Sequence, residues 1–272
     1  MVFCIEKFST YLCLVQSTDL CAYGSEFEST DRDKLVVFIL MMKLREMYGQ
    51  EIRLAVDKIF SIGDTFFFRS FFRAILSRCI KLSKNVTYLH FMLASTFVKQ
   101  VVSANFCATK CFTLPKIASL ALIAAYKRCY TDYFNIRRES KTLESYCFIL
   151  NSVLSIENST EGRKYLSPFA ELEIGTLMAS LNDVDDINFE LTDNEEKMLN
   201  GIFLETCSED LIKDDVETVS RQSELLLSLE DTDSENTIEY SLTDDNASFK
   251  NLCEFCGFNC TKFVLEVCIT SV

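Results

Sequence analysis

The chain has 272 residues, 49% of them hydrophobic, with seven Gly, two Pro, no Trp and a formal net charge of −13. That length gives room for one large or two small domains with a sizeable core. With so few turn formers, and apolar residues recurring three or four apart, the composition leaves little room for a strand-rich architecture and predicts an all-α chain.

The charge is divided unevenly, with 26 acidic and 7 basic side chains in residues 161 to 272 against 14 acidic and 20 basic in residues 1 to 160. This asymmetry predicts a folded module followed by an acidic extension able to screen the module's basic surface from nucleic acid. Thirteen cysteines, an odd number scattered over helical apolar faces, read as reduced thiols of an intracellular protein. The longest uncharged apolar runs, 35 to 42 and 117 to 126, fall short of the roughly 20 residues a membrane span needs, so no membrane partner is expected. MVFCIEKFSTYLCLV at the N-terminus has a Glu and a Lys early and no basic stretch before its apolar part, which argues against a secretory signal.

In chain order, Ser29, Thr30 and Asp31 precede an apolar run from Leu35 and Gly49 follows it, predicting a helix of roughly 15 residues. Because residues 35 to 42 are apolar on every side, that helix is expected to be central, surrounded by others. QEIRLAVDKIFSI follows as a shorter amphipathic segment ending at Gly63, and Asp64 and Thr65 cap the next helix. There Phe68, Phe71, Phe72, Ile75, Leu76, Cys79 and Ile80 keep helical spacing, while Arg69, Arg73 and Arg78 take the other side. Residues 85 to 106 repeat the pattern with Leu89, Met92, Leu93, Phe97, Val101 and Val102. TLPKIASLALIAAYKRC, with Pro115 in its first turn, then predicts a second central helix, and TLESYCFILNSVL, 142 to 154, closes the module.

Two all-apolar helices, each wrapped by one-faced helices, suggest two helical bundles in tandem. In order and spacing the chain resembles the A/B-type cyclins, whose two repeats each place a buried third helix among four others. YLCLVQSTD, ending at Asp19, and RDKLVVFILMMKLREMY are similar to the second and third helices of the family's first repeat. Lys43 stands at the lysine of the family's A-S-K, and Glu46, Met47 and Tyr48 match its E-M-Y. QEIRLAVDKIFSIGDT is similar to the fifth-helix pattern and puts Glu51 at the family's glutamate; LPKIASLALIAA looks like the L-P-S-x-I-A-x-A-A of the second repeat. The family's first helix, with its docking patch and Trp, is missing, no space is left for a fourth helix between Tyr48 and Glu51, and Lys116 replaces the P-S serine.

The resemblance implies a shortened N-terminal cyclin box at 1–62, a C-terminal cyclin box at 63–156 and an acidic extension, partly helical and partly disordered, at 157–272. It further implies a regulatory subunit of the nucleus and cytoplasm that binds and activates the catalytic subunit of a cyclin-dependent protein kinase in cell-cycle control. Lys43 and Glu51, with Glu46 beside them, would grip the backbone of the kinase's regulatory helix and help to order its activation loop. The residues alone leave a plainer alternative open, in which Lys43 offsets a helix dipole and Glu51 caps the next helix.

No catalytic role and no cofactor are expected. His90, the single histidine, lies between Leu89 and Phe91 in an apolar helix and reads as a packing residue. No G-x-S-x-G, Walker loop, H-E-x-x-H or G-x-G-x-x-G is present. CEFCGFNC, with Cys253, Cys256 and Cys260, and Cys268 beyond, has spacing that thiolate zinc ligands use, but a buried apolar stripe is the favoured reading and no metal is expected. Thr192 to Glu195 reads as a capping box before an amphipathic stretch reaching Phe203, and residues 230 to 246 read as acidic and disordered. Ser228, Thr232 and Ser241 fit an acidophilic kinase pattern, and Arg163 to Leu166 an R-x-x-L. Two further classes stay open: a general-transcription-factor-like protein that binds DNA through the same fold, against which the acidic balance weighs, and a helical interaction scaffold.

Overall fold

The computed structural model describes residues 4–10, 12, 32–60, 68–109, 111–136, 142–154, 168–186, 188–207, 253 and 256. Every regular element among them is helical, as the composition requires. In chain order these are α1 (Ile5–Thr10), α2 (Arg32–Phe60), α3 (Phe68–Leu82), α4 (Tyr88–Thr109), α5 (Thr113–Cys129), α6 (Thr131–Ile136), α7 (Leu143–Val153), α8 (Pro168–Ala179), a 3-10 turn (Ser180–Asp183) and α9 (Asp193–Cys207).

The centre of the body is α5, which packs against α1, α3, α4, α6 and α9. Its sequence explains this position, because Ile117, Ala118, Ala121, Leu122, Ile123, Ala124 and Ala125 bury all sides of the helix and the small residues let neighbours approach closely. At one such approach the Ser9 hydroxyl of α1 donates to the Ser119 carbonyl at 2.9 Å. Pro115 sits in the first turn, where its missing N–H costs no helix hydrogen bond. On α3 the predicted face is buried at Phe68, Phe71, Phe72, Ile75, Leu76 and Cys79, each large side chain contributing about 1.5–3 kcal/mol on burial. An aromatic cluster binds α4, α5, α6 and α7: Phe91 meets Tyr130 at 5.3 Å and Phe134 at 5.2 Å, and Tyr88 meets Tyr146 at 5.5 Å between ring centroids.

The other apolar helix behaves differently. The predicted stop at Gly49 is a kink within one long element, with Tyr48 at φ −122°, ψ 19° and its side chain fully buried. Against α4, α7 and α8 this helix buries Val37, Leu40, Met41 and Leu44, but Val36, Phe38, Ile39 and Met42 are half-buried and Leu35 is exposed. A run that is apolar on every side can be enclosed only where neighbours surround it, and among the described residues α2 is covered on one flank. The buried residues form one contiguous core from Ile5 to Ile202, including side chains on both sides of the 62/63 boundary drawn from the resemblance. YLCLVQSTD apart from Leu12, residues 61–67, Arg163 to Leu166, Ser228, Thr232, Ser241, the acidic stretch 230 to 246, Cys260 and Cys268 lie outside the described residues.

The acidic extension supplies much of the polar architecture. Glu195 completes the expected capping box, accepting from the Thr192 backbone N–H at 2.8 Å while its own N–H donates to the Thr192 hydroxyl at 3.4 Å. The same carboxylate accepts from Arg128 of α5 at 2.7 Å, and Glu196 pairs with Arg69 of α3. Arg78 departs from the expected solvent side of α3: it is fully buried, its Nη1 2.7 Å from both carboxylate oxygens of Asp186. The physical reason is a partner from outside the helix, because the chain after the 3-10 turn brings Asp186 over this face and covers the guanidinium.

Between α2 and α4, Lys99 lays its ammonium 3.7 Å from the centre of the Phe38 ring. Burial, reinforced by Arg45, pushes this ammonium down to about 8. Below that pH the folded chain holds a cation its surroundings disfavour. Between pH 8 and the ordinary lysine value of 10.5 the unfolded chain keeps the proton and the folded chain does not, so stability gains with rising pH. Lys99→Met, which keeps the stem, is therefore expected to be more stable than the wild type at pH 7 by about 1–2 kcal/mol. Urea unfolding of both proteins at pH 7 and pH 10 should show that advantage shrinking; an advantage that grows with pH would contradict the assignment.

Candidate functional site

Lys43 leaves α2 five residues before the kink, on the side that faces α7. Its Nζ donates to the carbonyl of Asn151 and to that of Leu154, each at 2.7 Å, and the side chain is only 9% exposed. These carbonyls belong to the last turn of α7 and its C-cap, groups that no later N–H of the helix can satisfy. An ammonium with three donors on a flexible apolar stem suits that position, and the negative end of the helix dipole adds to the attraction. A third bond closes the junction, from the Asn151 side-chain amide to the Val36 carbonyl at 2.7 Å. The α7 N-terminus is fixed too, with Thr142 accepting from the Ser145 N–H at 3.2 Å.

The ammonium that the resemblance assigns to a partner's backbone is thus occupied by the chain's own backbone. Desolvation holds the Lys43 pKa below the ordinary lysine value, with the Glu46 carboxylate acting in the opposite direction. Glu46 is exposed one turn after Lys43, and Glu51, beyond the kink, is half-buried. All three candidate residues therefore lie on α2, with the Lys43 ammonium committed to the α7 carbonyls. Asn151 and Leu154, its acceptors, have no local sequence signal, since a backbone carbonyl is present at every position.

Both helices of this junction carry exposed apolar side chains. Phe148, Ile149 and Val153 on the outward side of α7 are 63%, 52% and 45% exposed, and Leu35 on α2 is 48% exposed. Ile149 and Val153 are one helical turn apart, so they form a ridge, with Phe148 beside it. Leu35 adjoins Val36, the residue tied to Asn151.

His90 occupies a packing position. It is buried near the start of α4, its Nδ1 2.8 Å from the Thr87 hydroxyl, which also accepts from the His90 backbone N–H at 3.3 Å. Burial lowers its pKa, against the pull of Glu173.

A third grouping unites distant cysteines. Cys111, buried just ahead of α5, has its Sγ within 4.8 Å of those of Cys253 and Cys256, both half-buried. Neither Cys253 nor Cys256 lies in a helix, but both are half-buried against the apolar core; the rest of the stripe expected of them lies outside the described residues. Sequence reasoning weighed these two as ligands and left out Cys111, which no spacing rule connects to them.

Among the described residues no helix is long and apolar enough to cross a membrane. No protein-family model, no curated protein and no solved structure matches the chain. What the coordinates define is a class, an all-α protein in which one apolar helix is enclosed and a second is half-covered.

Proposed function

We propose that the chain is a non-catalytic, cyclin-like regulatory subunit that binds the catalytic subunit of a protein kinase. The observation that supports this is the exposed apolar ridge of Phe148, Ile149 and Val153 on α7, with Leu35 exposed on α2. Large apolar side chains grouped on one face are suited to burial against a partner. Lys43 organises that face from within: pulling its ammonium off two carbonyls would forfeit hydrogen bonds worth about 1.5–3 kcal/mol each, so the partner docks beside the α7 terminus without displacing it. Glu46 and Glu51 are the polar contacts assigned to the partner.

With Phe148→Asp and Ile149→Asp together in the full chain, kinase activity co-purifying from the native cell should fall at least about tenfold. Helical circular dichroism and the thermal midpoint should hold, because both side chains are more exposed than buried. Kinase activity that is absent from the wild-type eluate, or unchanged by the double substitution, sinks the proposal.

A helical interaction scaffold is the second reading, and the capture of Lys43 favours it, because a lysine fixed as a helix cap needs no kinase to account for it. A stable non-kinase partner in the wild-type eluate, lost with the same double substitution, would select it. The DNA-binding alternative gains no support, since Arg69, Arg78 and Arg128 are paired with carboxylates of the acidic extension.

A further inference from the structure

We propose that Cys111, Cys253 and Cys256 form a thiolate site for Zn2+ that ties Cys253 and Cys256 to the start of α5. The three sulfurs come from two parts of the chain and converge within 4.8 Å of one another. Around a tetrahedral zinc with Zn–S bonds of ~2.3 Å, neighbouring sulfurs lie about 3.8 Å apart, so the cluster closes onto the metal with a contraction of about 1 Å or less. Cys253 and Cys256 form a C-x-x-C pair, a spacing that lets two thiolates of one turn take adjacent vertices.

The surroundings suit thiolates. The Thr113 hydroxyl donates to the Cys256 sulfur at 3.5 Å, across 143 residues of sequence. Cys111 directly precedes Phe112, the N-cap of the 17-residue α5, which offers no side-chain cap, so the positive end of the helix dipole faces the cluster. Burial is graded as a metal site needs: Cys111 is fully buried and fixes one vertex, while the half-buried pair leaves a path of entry. All three are reduced, and three thiols cannot be satisfied by one disulfide.

On binding, each S–H proton passes to solvent and the sulfur lone pair goes to the cation, so three protons are released per Zn2+ and affinity rises with pH. The fourth vertex takes a water or a further thiolate. The metal thereby fastens a C-terminal segment to a helical body far from it in sequence. This site is independent of the α2–α7 face, so failure of one leaves the other standing.

The test uses the full chain purified under a non-chelating reductant. Elemental analysis is expected to find about one zinc per chain, and Co2+ in its place should give the intense near-ultraviolet band of thiolate-to-metal charge transfer. Cys253→Ser and Cys256→Ser should each lower metal affinity at least about tenfold, while Cys79→Ser, buried in α3 away from the cluster, retains it. The two half-buried variants keep the test valid if Cys111→Ser fails to fold. Chelation should lower the thermal midpoint of the wild type and leave that of the two serine variants unmoved. A folded wild type with neither zinc nor the cobalt band, a band indifferent to both substitutions, or recovery of the trio only as a disulfide with one spare thiol would each overturn the proposal.

Discussion

Asp186→Ala is expected to destabilise the protein by about 3–5 kcal/mol, because it leaves the Arg78 charge buried without its counter-ion. Arg78 is fully buried, and among the described residues its Nη1 reaches, besides Asp186, the Ala74 carbonyl, at 2.8 Å. Its Nε and Nη2 are buried without an acceptor among the described residues, so the compensation for desolvating the guanidinium falls on one carboxylate. The Ser77 hydroxyl also donates to that carboxylate, at 2.6 Å, and would be left with its longer bond to the Ala74 carbonyl, at 3.1 Å. In a chain of this size the loss corresponds to a fall in thermal midpoint on the order of 10 °C. A second variant isolates the cause. In an Arg78→Met background no charge remains to be stranded, and Asp186→Ala should then cost less than about 1 kcal/mol, giving a coupling energy of a few kcal/mol in the double-mutant cycle. A loss below about 1 kcal/mol in the wild-type background would mean that Arg78 is hydrated in solution and that the docking of 184–186 on α3 is wrong.

Lys43→Ala is the second large effect, with an expected cost of about 2–4 kcal/mol. The substitution removes both charge-assisted bonds, leaves the Asn151 and Leu154 carbonyls without that partner, and empties the space of a long apolar stem. The damage should be local. Amide exchange along 143 to 154 should accelerate far more than that of α5, which makes no use of Lys43. Lys43→Met separates the two contributions: it restores most of the packing and should recover part of the stability but little of the α7 protection. Unaltered exchange in α7 after Lys43→Ala would show that the ammonium does not hold that helix. The experiment also bears on the proposed function, because a charge reversal at Lys43 that abolished kinase binding could act by loosening α7, whereas the exposed pair Phe148 and Ile149 can be changed without touching the junction.

The capture of Lys43 and that of Arg78 share one logic. A long cationic side chain expected to point away from the core is buried instead, and a segment more than a hundred residues later supplies the acceptors. In one case they are helix-terminal carbonyls and in the other an aspartate. Arg69 with Glu196, where the arginine is exposed and the pair worth less, and Arg128 with the buried Glu195 add two further pairs between the same two parts of the chain. The opposite charges of the two parts of the chain are therefore joined within the molecule at several points.

Local chemistry was legible in the sequence, because it depends on residues within one or two turns of each other. The buried face of α3, the enclosure of α5, Pro115 in a first turn and the Thr192–Glu195 box each follow from spacing and from unsatisfied backbone groups at helix ends. The stop at Gly49 was legible as a disturbance, though only the packing of Tyr48 made it a kink in a continuous helix. Tertiary structure alone decided which flank of α2 is covered, that Lys43 closes α7, that Arg78 is buried, and that Cys111 joins Cys253 and Cys256. Periodicity reports which way a side chain leaves its own helix; what it meets there is fixed by chain segments arriving from far away, and no local pattern encodes their arrival.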